Sequence, residues 1–177
     1  MKFLLFLVLL ISAYLYAMKR LRGSIKRYKN KNPKLDPWKF FKGKLHAVGM
    51  IQDPFGRVIQ SFDVDIWGEF TRTSGMMKQT FTSGGVMVAK RTWNFVKTSE
   101  HHFEGCAPDV VGKANGEYQG NAIHMTYRIR IPLFGRERIV DVDDFLYAIN
   151  PNQVLNTAVF KKWGIPVARL YISFQKI

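Results

Sequence analysis

The sequence predicts an all-β fold, an antiparallel barrel of eight or nine strands preceded by one apolar N-terminal segment. Three observations support this prediction. Apolar and polar residues alternate with a period of two, turn residues separate the alternating runs, and no helical run is long enough to cross over between parallel strands. The length of 177 residues and the apolar fraction of 47% fit one folded domain with one core.

The apolar segment comprises residues 3–18, which carry no charge and would form about 24 Å of helix, slightly less than the ~30 Å hydrocarbon layer. Two interpretations remain open. A cleaved signal peptide would end at Ala17, although Leu15 stands where such sites prefer a small residue. A retained single-pass anchor is favoured by Tyr14 and Tyr16, because amphipathic rings prefer the membrane interface.

A basic linker follows the apolar segment. Nine of the 27 basic residues and no acidic residue fall within residues 1–34, so residues 35–177 carry only +5 of the net charge of +14. Anionic lipid attracts basic residues near its surface by about 1 kcal/mol each. The charge pattern therefore predicts contact with anionic lipid through residues 19–34 and argues against a nucleic-acid partner. The chain divides into an anchor or signal segment (1–18), this juxtamembrane linker (19–34) and a barrel domain (35–177).

The barrel domain is expected to begin with a short helix. Asp36 is a suitable N-cap and Pro37 is suited to the first helical position, where its missing N–H costs nothing. The aromatic side chains of Trp38, Phe40 and Phe41 follow and are expected to close one end of the domain.

After Gly43 the sequence predicts strands. The clearest runs place one residue in two on an apolar face: Val58, Gln60, Phe62, Val64 and Ile66; Met125, Tyr127, Ile129 and Ile131; Ala168, Leu170, Ile172 and Phe174. Turn signals separate the runs at Asp53–Gly56, Gly84-Gly85, Ser99–His102, Phe134-Gly135 and Asn150–Asn152. A barrel of eight strands leaves room for side chains and one small ligand. Most aromatic residues, Trp67 and Trp163 included, are expected in the core.

The sequence contains no catalytic or metal-binding signature. Its four histidines (His46, His101, His102 and His124) lack metal-ligand spacing and are expected to be solvated, and the single Cys106 is expected to be a small buried hydrophobe. No G-x-S-x-G motif is present. We therefore expect no metal, no cofactor and no identifiable catalytic residue.

Two acidic sites are candidate binding elements, the group Asp141, Asp143 and Asp144 and the single Asp109. Asp141 and Asp143 share one face of a strand, and Asp144 points to the other. Because Arg128 and Arg130 lie on the preceding strand, cross-strand ion pairs are expected. A polar cluster that binds a ligand is the alternative. Asp109 precedes three glycines at intervals of four and is expected to bond backbone amides at a bend. The glycines are Gly112, Gly116 and Gly120.

Short motifs occur in a characteristic order over about 130 residues: Phe41-x-Gly43-x-Leu45, Gly49, Asp53–Gly56, Trp93, Asp109–Gly112, Gly116, Gly120–Ala122, Tyr127, Pro132, Asp143–Tyr147, Asn156 and Lys162–Gly164. In this order and spacing the chain resembles a bacterial family, domain of unknown function 3833. The resemblance implies a lipocalin-like (calycin-type) barrel and supplies no catalytic residues. Many members carry a lipoprotein cysteine after the signal, whereas this chain resembles the subset with a plain apolar segment.

The expected location is the bacterial inner membrane, crossed once. The side that the domain faces stays open, because the basic flank favours the cytoplasm and the family resemblance favours the periplasm. The oligomeric state is left open as well.

The first functional hypothesis is a membrane-anchored, lipocalin-like protein that binds an apolar, lipid-like ligand. Its candidate ligand-binding residues are Trp93, Asp109, Tyr127, Asp143 and Tyr147. One alternative is a solidly packed envelope adaptor that binds another protein. The other is an enzyme that modifies a lipid or isoprenoid with Asp109, Asp141, Asp143 or a histidine inside the barrel.

Overall fold

The structure, a computed structural model, describes residue 6, residues 24–133 and residues 135–177, with only the backbone of Leu133. Of the expected anchor at residues 3–18, only Phe6 is among the described residues. Phe134 of the expected Phe134-Gly135 turn is also outside them. Over the described part of the chain, no helix combines the length and the apolar character needed to span a bilayer.

From Ser24 onward, the described residues form two short helices and ten strands. A 3₁₀ helix spans Ile25–Tyr28, and helix α1 spans Pro37–Phe40. The strands are β1 (Gly43–Gln52), β2 (Val58–Phe70), β3 (Ser74–Ser83), β4 (Val86–Lys97), β5 (His102–Cys106), β6 (Ala114–Gln119), β7 (Ala122–Leu133), β8 (Arg136–Asn150), β9 (Gln153–Lys162) and β10 (Ile165–Lys176).

Each strand pairs antiparallel with its neighbour in the chain, and β10 pairs with β1 to close the barrel. The predicted closed antiparallel meander is therefore confirmed, with ten strands instead of eight or nine. Strands β5 and β6 are short and carry Gly105 and Gly116 at inward positions. A Cβ at Gly116 would lie 2.2 Å from the Phe103 ring, so packing requires glycine where the apolar alternation would otherwise be visible.

The alternation predicted along the strands matches the two faces of the wall. On β2, Phe62, Val64 and Ile66 are buried inside the barrel, whereas Asp63 and Asp65 between them are exposed. Strand β7 follows the same rule, and on β10 Ala168 and Phe174 are buried while Leu170 and Ile172 line the interior cavity. The core consequently lies inside the barrel and draws residues from every strand.

Helix α1 closes one end of the barrel, as predicted. The Trp38 backbone N–H donates to the Asp36 side chain at 2.9 Å, and Pro37 is the first helical residue. The Trp38 ring packs edge-to-face against Phe70 and Phe103, with centroid distances of 5.9 Å and 5.4 Å. We call this the closed end. The opposite open end carries the β1–β2, β3–β4, β5–β6, β7–β8 and β9–β10 connections.

Three predictions about burial are wrong. Cys106 is exposed because it follows the inward Gly105 on β5 and therefore faces outward. Trp67 lies on the outer face of β2 and is 44% exposed. Trp163 occupies the β9–β10 turn with its backbone in the left-handed region (φ 52°) and is 86% exposed.

Candidate functional site

The barrel encloses a cavity of about 300 Å³ between helix α1 and the open end. Its walls are mainly aromatic and aliphatic, and include Trp38, Phe62, Phe70, Phe81, Trp93, Phe95, Phe103, Ile123, Met125, Ile129, Leu146, Phe160, Leu170, Ile172 and Phe174. The strand alternation points these side chains inward from nearly the whole circumference.

The cavity opens toward the end opposite helix α1. Gln60, Val88 and Ala89 line the cavity and are nevertheless exposed, and all three lie near the open end on β2 or β4. At the closed end, Pro37 and Trp38 form part of the cavity floor. A ligand would therefore enter through the open end.

One carboxyl group lies inside the apolar wall. Asp144 faces inward from β8 and is only 8% exposed. The Tyr127 hydroxyl donates to Asp144 Oδ2 at 3.1 Å, and Asn156 Nδ2 donates to Asp144 Oδ1 and, at 2.9 Å, to the backbone oxygen of Phe145. All three side chains line the cavity and link β7, β8 and β9.

Burial raises the pKa of Asp144 from 3.8 to about 6, although the hydrogen bonds from Asn156 and Tyr127 and the charge of Arg91 favour the ionised form. Burial, together with the nearby Asp144 charge, also raises the pKa of Tyr127 well above its ordinary value. Asp144 therefore changes its charge near neutral pH, inside an apolar chamber.

A cation faces the same cavity from β4. Arg91 lies over the Trp93 ring with 4.4 Å between the guanidinium carbon and the centroid, and its Nε is 3.0 Å from Asp109 Oδ1. This ion pair lacks hydrogen-bond geometry, so Arg91 Nε and Nη2 have no hydrogen-bond partner among the described residues. On β3, the buried side-chain oxygen Oε1 of Gln79 also has no hydrogen-bond partner among the described residues. Buried polar groups are usually paired, so these atoms offer bonds to a ligand.

The structure brings two of the five candidate ligand-binding residues into the cavity. Trp93 and Tyr127 line it, as the binding hypothesis requires. Asp109 lies in the β5–β6 connection, where its carboxylate pairs with Arg91 instead of the backbone amides expected for it. Its backbone oxygen accepts a hydrogen bond from Arg130 N–H at 2.9 Å, which attaches this connection to β7.

The other two candidates face outward, away from the cavity. Asp143 lies 2.9 Å from His124 Nε2 and 3.5 Å from Lys161 Nζ, so its carboxylate makes cross-strand ion pairs with β7 and β9. Tyr147 stacks on Phe145 and lies near Tyr28 of the 3₁₀ helix. Arg128 is opposite Asp141 in the strand register.

The histidines divide into two groups. His101 lies in the β4–β5 connection and His102 is the first residue of β5, and both are exposed, as expected. His46 and His124 instead lie on strands, where their rings approach the carboxylates of Asp65 and Asp143 at 3.1 Å and 2.9 Å. Within the described ranges, no group of three or more His, Cys, Asp or Glu residues is arranged to hold a metal ion.

The functional residues missed from the sequence are Asp144, Asn156, Arg91 and Gln79. The sequence did contain a signal for Asp144. It lies two residues from Val142 and Leu146 on β8, so the alternation places all three on the same buried face. The same alternation places Asp143 and Tyr147 outside. The alternation gave no such signal for Arg91. It comes directly after Lys90 at the end of a run of residues that are exposed at the open end.

A family model described as "Protein of unknown function (DUF3833)" matches residues 14–176. Among solved structures, the S-type phycobiliprotein lyase from Guillardia theta is similar, with a TM-score of 0.59 and 9% sequence identity over 88% of this chain and 94% of that chain. At this identity the similarity concerns the lipocalin-like barrel fold alone. No curated protein sequence matches this chain.

Proposed function

Because this chain belongs to the DUF3833 family of proteins of unknown function, we propose from its cavity that it is a membrane-tethered, lipocalin-like protein that binds an apolar, lipid-like ligand. The observation that carries the proposal is the cavity of about 300 Å³ with its largely apolar wall and its opening at one end. Small-molecule sites have volumes of roughly 300–1,000 Å³ and apolar walls with few polar groups, so this chamber is at the small end of that class.

The polar groups in the wall indicate that the ligand has one polar end. Arg91 offers hydrogen-bond donors and Gln79 offers an acceptor, and none of these atoms has a hydrogen-bond partner among the described residues. The charge of Arg91 is already balanced by Asp109, and Asp144 adds a negative charge above pH of about 6. An uncharged polar group, such as an alcohol, an amide or an ester, therefore fits better than a carboxylate.

The membrane tether is proposed from the sequence. Residues 3–18 would hold the chain in the inner membrane as a single span, and the basic residues within 19–34 would lie against anionic lipid. A reporter that is active only in the periplasm, fused after Ile177, decides which side the barrel faces.

Native mass spectrometry of the full chain, extracted from bacterial membranes in a mild detergent, tests the proposal. We expect an excess mass the size of one lipid, which organic extraction removes and identifies. Ala89→Trp, at the cavity mouth, should abolish the excess because the indole fills the entrance. Lys90→Trp is the matched control, since this exposed neighbour is not part of the cavity wall.

Other results would replace the proposal. A bare polypeptide mass that stays unchanged after incubation with lipid extract would favour the packed adaptor. An excess mass that A89W retains would place the lipid outside the barrel. Chemical conversion of the added lipid that disappears with Asp144→Asn would favour the enzyme, for which Asp144 is the buried carboxyl of raised pKa.

A further inference from the structure

We propose that the open end of the barrel is a docking surface for an anionic lipid bilayer. Of the sixteen large apolar side chains that are exposed among the described residues, nine lie at this one end. The most prominent are Phe55, Ile59, Val86, Met87, Trp163 and Ile165, which we call the apolar tips. The proposal goes beyond ligand binding and depends only on this surface, not on what the cavity holds.

The apolar tips form one patch because their hairpins are neighbours. Strand β1 pairs with β10 and β2 pairs with β3, so the β9–β10, β1–β2 and β3–β4 hairpins follow one another around the rim. Phe55 and Trp163 lie at the tips of two of these hairpins and are 84% and 86% exposed. Several strongly exposed apolar side chains on neighbouring hairpins indicate an interaction site in a folded domain.

The charges at the same end are mostly positive. Three acidic side chains there are ion-paired: Asp53 with Arg57 at 2.7 Å, Asp109 with Arg91 at 3.0 Å and Glu137 with Arg130 at 3.9 Å. Further basic residues add to the positive charge at this end, namely Lys90, Arg136, Arg138 and Lys162. The open end therefore combines exposed apolar groups with an excess of positive charge.

This combination selects an anionic bilayer over other occupants. Tryptophan and phenylalanine side chains insert at the headgroup level, and each basic residue near an anionic surface contributes about 1 kcal/mol. A second copy of the chain would bring two positive rims together, which like-charge repulsion opposes. Val88 and Ala89, which line the cavity mouth, belong to the β3–β4 hairpin, so a bilayer on the apolar tips would lie beside the entrance.

The described N-terminal residues pack at the other end of the barrel. The Leu35 N–H donates to the Gly120 oxygen at 2.7 Å in the β6–β7 turn, and Tyr28 lies beside Tyr147 near the same end. The apolar tips therefore lie at the opposite end of the barrel from the described N-terminal residues, and their contact with a bilayer can be tested on a chain whose N-terminal segment is already in a membrane.

The test uses the full chain held in nanodiscs of phosphatidylcholine, so that the N-terminal segment already has a membrane. Vesicles of phosphatidylglycerol or of phosphatidylcholine are added, and co-flotation of the nanodiscs is measured. We expect binding to phosphatidylglycerol vesicles and at least tenfold weaker binding for the double variant F55S/W163S, since two aromatic side chains no longer insert.

The control is V96S/I149S, which removes two other exposed apolar side chains (55% and 52% exposed) at the closed end. It keeps residues 19–34, as F55S/W163S does, so a difference between the variants isolates the tips. Equal melting temperatures would establish that both variants are folded. Wild-type binding by F55S/W163S, equal binding to both kinds of vesicle, or nanodiscs that associate with each other without vesicles would overturn the proposal.

Discussion

Asp144 is an acidic residue on the apolar face of a strand, and its surroundings determine its charge. It accepts hydrogen bonds from Tyr127 and Asn156 and is almost fully buried, so its desolvation is only partly offset. Burial therefore raises its pKa to about 6. Arg91 is the opposite case, a half-buried cation that is paired with Asp109 and whose Nε and Nη2 have no hydrogen-bond partner among the described residues.

The raised pKa makes a prediction about stability. The folded state prefers the neutral Asp144, so its contribution to the free energy of unfolding is complete below pH of about 4 and is lost as the pH rises through about 6. A shift from 3.8 to about 6 corresponds to about 3 kcal/mol. The free energy of unfolding of D144N should therefore increase relative to wild type by about that amount between pH of about 3.5 and 7, as measured by urea denaturation.

The exposed Asp141→Asn variant on the same strand is the control for loss of a carboxylate from β8. A difference between D144N and wild type that is constant with pH would contradict the assignment of the raised pKa to Asp144.

At the scale of the element, helix α1 shows how local rules position a tertiary feature. The helix has only four residues, too few to be stable alone, yet its cap and its proline set where the chain turns. The turn places Trp38 across the end of the barrel against Phe70 and Phe103.

The N-cap is testable with two substitutions at Asp36. Asp36→Ala removes the acceptor of the Trp38 N–H and should lower the free energy of unfolding by about 1 kcal/mol. Asp36→Asn keeps an oxygen at that position and should be close to wild type, since asparagine caps as well as aspartate. Chemical denaturation measures both variants, and equal losses would show that the carboxylate charge matters instead of the cap.

At the scale of the whole molecule, the cavity is a product of barrel closure. Side chains from nearly every strand line the cavity. Beside the short strands β5 and β6, Val110 of the β5–β6 connection forms an isolated β-bridge with Ile129 of β7. The apolar tips at one end and helix α1 at the other give the barrel two different ends, one for entry and one that is closed.

A bound ligand should stabilise the whole barrel. A ligand present at about 100 times its dissociation constant adds about 2.7 kcal/mol, which for a chain of this size corresponds to a rise of roughly 5–10 °C in melting temperature. We expect the delipidated full chain to melt lower by this amount and to recover when the extracted lipid is returned. The A89W variant should not respond to the lipid. A melting temperature unaffected by extraction in wild type would argue against an occupied cavity.

Several features of this protein follow from the sequence alone because they depend on neighbours in the chain. The period of two in β2, β7 and β10 follows from strand geometry, and the cap at Asp36 needs only residues next to it. The order of short motifs is likewise a property of the chain, and the family resemblance drawn from it is confirmed over residues 14–176.

Only the tertiary structure decided which residues share the cavity. Arg91 meets Asp109, and Asp144 meets Tyr127 and Asn156, because strand register and barrel closure bring distant segments together. Register also hides β5 and β6 from sequence patterns, since their inward glycines make room for rings on neighbouring strands. Local periodicity assigns a side chain to one face of a strand. The partners of that side chain depend on packing across the whole barrel. So does the exposure of a residue at the end of the barrel, such as Trp163.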